Sequence, residues 1–254
     1  MTTLRATATI LFAASLTLSG CKSAPPAPTA EPATAAPAPV ANAGSISGTI
    51  HFTGKTPARV KIDMSMDPAC SMLAPENNAE QYVVADGKLA NVYLYIKAGA
   101  TPSKAPGNAA HVVLDQKGCR YTPHVIALQQ GGSVEFRNSD PTMHNIHTTP
   151  ATAGEASIDV SQGPMGTAQT RQFQQPETML PVRCNNHPWM NAFINVSATP
   201  FFAVSGADGS FTINGLPPGN YTLAAVHEKL GEQDIQVTVP ASATAKADFT
   251  YAMK

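Results

Sequence analysis

The sequence predicts an all-β protein, on three observations. Its apolar runs are short and rich in Val, Ile, Tyr and Phe, side chains that suit a pleated, half-buried surface. Turn residues punctuate them: 18 Gly and 22 Pro, with dipeptides such as Asp86-Gly87 and Asp208-Gly209 between alternating stretches. Apolar residues at helical spacing are nowhere sustained.

The strands follow in order. Ser45 to Phe52 alternates apolar and polar, and Gly54 to Pro57 turns the chain. Tyr82 to Val84 leads through Asp86-Gly87, a hairpin signal, to the buried run Val92 to Ile96. Residues 99 to 110 are a Gly/Pro/Ala loop. His111 to Leu114, Pro123 to Leu128 and, after Gly131-Gly132, Ser133 to Arg137 are strands. Asn138 to Pro141 is a loop delivering His144. Residues 148 to 169 read as loop and Gln172 to Gln174 as a short strand. Met179 to Arg183 runs into Cys184, and Ala192 to Val196 leaves it. In the tail, strands fall at Phe201 to Val204, Ser210 to Ile213 and Tyr221 to Val226.

The N-terminus reads as a targeting segment. Arg5 gives a positive start, Ile10 to Leu18 is apolar and too short to span a membrane comfortably, and Leu18-Ser19-Gly20-Cys21 resembles a bacterial lipobox. Cleavage before Cys21 would leave that cysteine to carry lipid, and Lys22 after it leans toward outer-membrane sorting. The Ala, Pro and Thr that follow cannot build a core and form a semi-rigid tether. These features predict a lipid-anchored periplasmic protein. Net charge is −1 and 13% of residues are charged, so no basic stripe points to nucleic acid.

The most specific chemistry lies in C-N-N-H-P-W-M (Cys184 to Met190), downstream of M-H-N-I-H with His144 and His147. A thiolate, an imidazole and a thioether at this spacing, with an imidazole from a distant segment, are the donor types of a blue-copper site. In a strand, positions 144 and 147 face opposite ways, so both do not meet one metal unless the chain bends. Of the other cysteines, Cys70 and Cys119 are an even pair in an oxidising compartment and are expected to form a disulfide. The alternatives are two separate buried thiols or, with Met64, Met66 and Met72 near Cys70, a second metal site.

Two resemblances follow. The run G-G-S-V-E-F-R-N-S-D-P-T-M-H-N-I-H resembles the plastocyanin and amicyanin region in which a strand V-x-F-x-N leads to H-N, and C-N-N-H-P-W-M resembles the short amicyanin ligand loop. The likeness covers about residues 121 to 197 and implies a cupredoxin Greek-key β-sandwich holding one copper ion. Carried over by position, it makes His144, Cys184, His187 and Met190 the ligands. It implies that Asn145 hydrogen-bonds the ligand loop and that Asn185 is its partner, with Trp189 on an apolar patch around an exposed edge of His187. The tail D-G-S-F-T-I-N-G-L-P-P-G-N-Y-T-L resembles a carboxypeptidase-regulatory β-sandwich, which identifies a scaffold and no chemistry.

The chain is thus expected to comprise a lipoprotein signal (1–20), lipidated Cys21 with its linker (21–43), an N-terminal β segment (44–100), a cupredoxin domain (101–198) and a carboxypeptidase-regulatory-like segment (199–254). G-T-I-H-F-T-G-K-T-P and N-V-Y-L-Y-I look like the opening strands of that last family, far upstream of the rest. A sandwich split around the cupredoxin is favoured over an appended short domain, because the tail alone is thin.

The function expected is a membrane-tethered carrier of single electrons, monomeric, with no catalytic residues. Multicopper oxidases need His beside the Cys, but Arg183 and Asn185 stand there; a binuclear centre needs a second Cys in the loop. The amicyanin likeness implies a periplasmic dehydrogenase or cytochrome as partner. Copper chaperoning or storage, and a cell-surface structural role, are the alternatives.

Overall fold

The computed structural model describes residues 42–253 apart from 75, 106, 108 and 110. The signal segment, Cys21 and most of the linker lie outside the described residues. No helix among the described residues is long and apolar enough to cross a membrane.

In chain order the elements begin with β1 (Gly44–Thr53), α1 (Pro68–Leu73), β2 (Val84–Ala85), β3 (Lys88–Leu89) and β4 (Tyr93–Ala98). Next come β5 (Val112–Gln116), β6 (Tyr121–Thr122), β7 (Val125–Gln129), β8 (Ser133–Asn138), β9 (His144–Thr148), β10 (Asp159–Gln162), β11 (Gln169–Gln172), β12 (Glu177–Arg183) and β13 (Asn191–Ser197). The tail holds β14 (Phe202–Val204), β15 (Ser210–Leu216), β16 (Gly219–His227), β17 (Gly231–Val239), β18 (Thr244–Lys246) and β19 (Phe249–Ala252). The protein is all-β, in two sandwiches.

The first sandwich joins the two ends of the described chain. β1 pairs antiparallel with β15 on one side and parallel with β18 and then β19 on the other. β4 lies between β14 and β16, and β17 closes that second sheet. Alternation makes this possible: Ile46, Ile50 and Phe52 of β1 are buried, while Ser47, Thr49 and His51 between them are less so. Gly48 takes the remaining inward position, where a Cβ would stand 1.6 Å from the Ala247 carbonyl oxygen. Only glycine lets the backbone between β18 and β19 approach so closely. Asp86 and Gly87 both have positive φ (49° and 67°), as a tight β2–β3 hairpin requires. In the L-P-P-G-N-Y run, the Tyr221 hydroxyl donates to the Pro217 carbonyl at 2.7 Å and pins the turn before β16.

The second sandwich packs the sheet β10-β9-β12-β13-β7 against β11-β8-β5-β6. Its core holds Leu114, Val134, Phe136, Ile146, Leu180 and Ile194, together with Met64 and Cys70 from the segment between β1 and β2. The sandwiches meet where His124, just before β7, hydrogen-bonds Glu228, just after β16, at 2.6 Å with both side chains buried.

Several elements depart from the sequence reading. β10 lies inside the stretch expected to be loop, α1, β6, β17, β18 and β19 were not foreseen, and β11 falls a few residues earlier than the Gln172 to Gln174 strand. β10, β11 and β17 are sheet edges. An edge strand is covered on one side only, so polar runs such as D-V-S-Q suffice for it.

His227, at the end of β16, gives the fold a pH dependence. It is buried beside the rings of Tyr82 and Tyr251. Its Nδ1 accepts from the Lys229 amide at 3.2 Å, while its Nε2 has no partner among the described residues. Burial lowers its pKa to about 4. A folded value below the unfolded one means stability present above about pH 6.5 and lost progressively as pH falls toward 4. We expect urea titrations to show about 3 kcal/mol of acid loss from this residue, and His227→Phe to flatten that slope.

Candidate metal centre

β12 and β13 are antiparallel neighbours with Arg183 opposite Asn191, so Cys184 to Met190 is the loop closing their hairpin. The loop is internally fastened: the Cys184 amide donates to the Met190 carbonyl at 3.3 Å, and the Met190 amide to the His187 carbonyl at 2.9 Å. β9 runs beside β12 and opens with His144, so its imidazole reaches the same end of the sandwich. Cys184, His187, Met190 and His144 are all buried, at 4%, 4%, 1% and 0% exposure.

His144 Nδ1 and His187 Nδ1 stand 3.0 Å apart, and Cys184 Sγ is 3.6 Å from His187 Nδ1. One donor atom from each of the three lies within 4.8 Å of the others. Two further clusters, Asp67–Cys70–His187 and Cys119–Asp140–His144, meet the same spacing. Their cysteines are joined in the Cys70–Cys119 disulfide, which leaves Cys184 as the free thiol among the described residues. The disulfide also removes Cys70 from a second metal site, and Met66 and Met72 are exposed.

The hydrogen-bond partners of the imidazoles decide which nitrogen faces inward. His144 Nε2 is 2.9 Å from Asp140 Oδ2, and His187 Nε2 is 2.9 Å from Asp67 Oδ2. A carboxylate only accepts, so each Nε2 carries the hydrogen and each Nδ1 presents a lone pair. Two such lone pairs 3.0 Å apart repel unless a proton or a cation lies between them. Without a metal it is a proton: burial disfavours charge on His144, but Asp140 and Cys184 outweigh it and raise the imidazole to about 9, so that its Nδ1 carries a hydrogen which a bound cation would displace. Burial likewise opposes a thiolate at Cys184. Hydrogen bonds from His144, from the Asn186 and Asn145 amides and from His187 reverse that and bring it down to about 7. Burial also works against ionised Asp140, yet the His144 hydrogen bond and the Cys119 and Gly118 amides hold it below the usual carboxylate range. A soft thiolate and two convergent imidazole lone pairs, in a dry pocket with a buried Met190, fit a copper ion in donor chemistry and burial.

Around these residues Asn145 Oδ1 accepts from the Asn185 amide at 3.3 Å, tying β9 to the loop. Both asparagine side chains donate to Asp159 Oδ1, at 2.9 and 3.3 Å. His147 is on the other face of β9, partly exposed, with Nδ1 2.8 Å from Asn185 Oδ1. Trp189 requires a correction. His187 has no exposed edge for it to surround, because the Asp67 segment covers that edge; the indole instead donates to the Cys119 carbonyl at 3.0 Å and lies 5.1 Å from the His187 ring. Asp67 and Asp140 were missed in the sequence. Asp67, followed by Pro68 and three residues before Cys70, and Asp140, four before His144, were the available signals.

A carboxypeptidase regulatory-like domain model matches residues 183–252. That span begins at the last residue of β12, takes in the loop and β13 of the second sandwich, and leaves out β1 and β4 of the first. No curated protein matches. Among solved structures, an amicyanin variant in its Cu(I) form is 22% identical over 41% of this chain and 97% of that one, with a TM-score of 0.31. A reduced Cu(I) form of another amicyanin variant is 23% identical over the same shares, also at 0.31. A Cu-containing nitrite reductase from Thermus scotoductus SA-01 is 22% identical over 40% of this chain and 25% of that one, again at 0.31.

Proposed function

We propose that this chain is a mononuclear copper protein that carries single electrons between periplasmic redox partners, anchored through lipid on Cys21 to the outer membrane. It has no substrate of its own, and its partner is a redox protein of the dehydrogenase or cytochrome kind. The observation that carries this reading is the convergence of His144 Nδ1, His187 Nδ1 and Cys184 Sγ in a buried pocket closed by a fastened hairpin loop. Copper held there would supply a Cu(I)/Cu(II) couple. The residues supply rigidity: β9, β12 and β13 fix three ligands from two directions, so both oxidation states meet nearly one geometry.

The test is the spectrum of the copper-loaded protein. An intense visible thiolate-to-copper band, narrow copper hyperfine splitting in EPR and reversible one-electron cycling are expected. A colourless Cu(II) protein overturns the reading.

A second reading is favoured by the exposed methionines Met66, Met72, Met143, Met165 and Met253, at 76%, 79%, 50%, 68% and 48% exposure. Thioethers suit Cu(I), as a chaperone or store would need. Absent redox cycling, together with transfer of Cu(I) to an acceptor, would favour that role.

A further inference from the structure

The segment between β1 and β2 is a cap over His187. Lys61 bridges to Asn78, and the Ile62 and Ala79 amides donate to the Asn77 and Val60 carbonyls, which closes the segment into a loop. At its tip Asp67 uses both carboxylate oxygens. Oδ1 accepts from the Ala69 and Cys70 amides at 2.8 and 3.3 Å and caps α1. Oδ2 accepts from His187 Nε2 at 2.9 Å and from Thr142 Oγ1 at 3.3 Å.

Asp140 repeats this on the other imidazole. Its Oδ1 accepts from the Gly118 amide at 2.7 Å, and its Oδ2 from the Cys119 amide at 2.7 Å and His144 Nε2 at 2.9 Å. The two carboxylates hydrogen-bond the two halves of one disulfide: Asp67 accepts from the Cys70 amide, Asp140 from the Cys119 amide, and Cys70 is bonded to Cys119. The disulfide thus spans the two imidazole outer edges, with Cys70 Sγ 3.8 Å from His187 Nε2.

We propose that Asp67 and Asp140 are paired positioning residues, joined by the Cys70–Cys119 disulfide, that aim both imidazoles inward and lower the reduction potential of the copper site. The inference rests on the copper reading. Carboxylates hydrogen-bonded to ligand imidazoles raise ligand basicity and add negative charge beside the metal; the Asp140 side chain is 3% exposed and little screened, the Asp67 side chain 23% exposed and screened more. Both effects favour Cu(II) over Cu(I).

Asp67→Asn is the discriminating variant. Asparagine keeps a single acceptor oxygen; turned to His187 Nε2–H it preserves that hydrogen bond and removes the charge, at the cost of the cap on α1, which the Cys70–Cys119 disulfide still tethers. Redox titration of the copper-loaded variant is expected to show an unchanged blue spectrum and about a tenfold loss of preference for Cu(II), or about 59 mV upward for one electron. Asp140→Asn is expected to shift the same way. Blue spectra with unmoved potentials in both variants overturn the proposal. The positioning role is read separately in the zinc-loaded wild-type protein, which needs no redox chemistry. Two slowly exchanging imidazole Nε2–H resonances, from His144 and His187, are expected by NMR, and their absence overturns it. A colourless wild-type copper protein with both resonances present defeats the electron-carrier reading and leaves the positioning role standing.

Discussion

Cys184→Ser is expected to fold, to lose the blue band entirely and to stop cycling electrons. The side chain is 4% exposed and one atom type different, so the change leaves the core volume nearly intact. What it removes is the thiolate, the donor behind both the intense charge-transfer band and the soft contribution to the site. Replacing hydrogen-bond partners of metal ligands costs roughly 10–100-fold in affinity, and loss of the thiolate itself should exceed that. Titrating copper against a competing chelator while following absorbance checks both effects. His147→Ala is the control. That residue touches Asn185 from the other face of β9, so its variant should keep the blue spectrum. A Cys184→Ser protein that stays blue, or a His147→Ala protein that turns colourless, would place the metal elsewhere.

The sequence made some of this plain and hid the rest for physical reasons. Strands with a clear pattern were legible: β4 and β13 read as apolar runs, and β1 and β8, covered on one face, as alternation. The edge strands β10 and β17 were not, since their mostly polar residues look like loop. At the site, Cys184, His187 and Met190 stood out because a hairpin loop keeps them within seven residues. His144 stood out through its Asn145 neighbour. Asp67 did not, because it reaches His187 from 120 positions away through a segment with a single short helix and no periodicity to announce it. The sequence marked that cap through Cys70, read as half of a disulfide, and the methionines around it, with no hint of what the disulfide held down.

That disulfide should carry a large share of the second sandwich's stability. The bond closes a loop of 49 residues, and in the chain-entropy model such a crosslink withdraws about 4 kcal/mol of disorder from the unfolded chain. Both sulfurs are fully buried in the same core as Leu114, Phe136 and Leu180, so replacement also disturbs packing. A Cys70→Ala/Cys119→Ala double variant is therefore expected to lose about 4 kcal/mol in urea unfolding and to melt about 10 °C lower. The loss should begin locally. Without the bond, α1 is held by its own cap, by the buried Met64, and by the contacts of Asp67 and Asn77, each worth only about 1 kcal/mol where hydrogen bonds are concerned. The exposed Arg59 and Lys61 then become sites of early tryptic cleavage, well before the sandwich opens. Cleavage at the wild-type rate, with stability unchanged, would mean that the cap is held by packing alone and that the crosslink adds nothing to it.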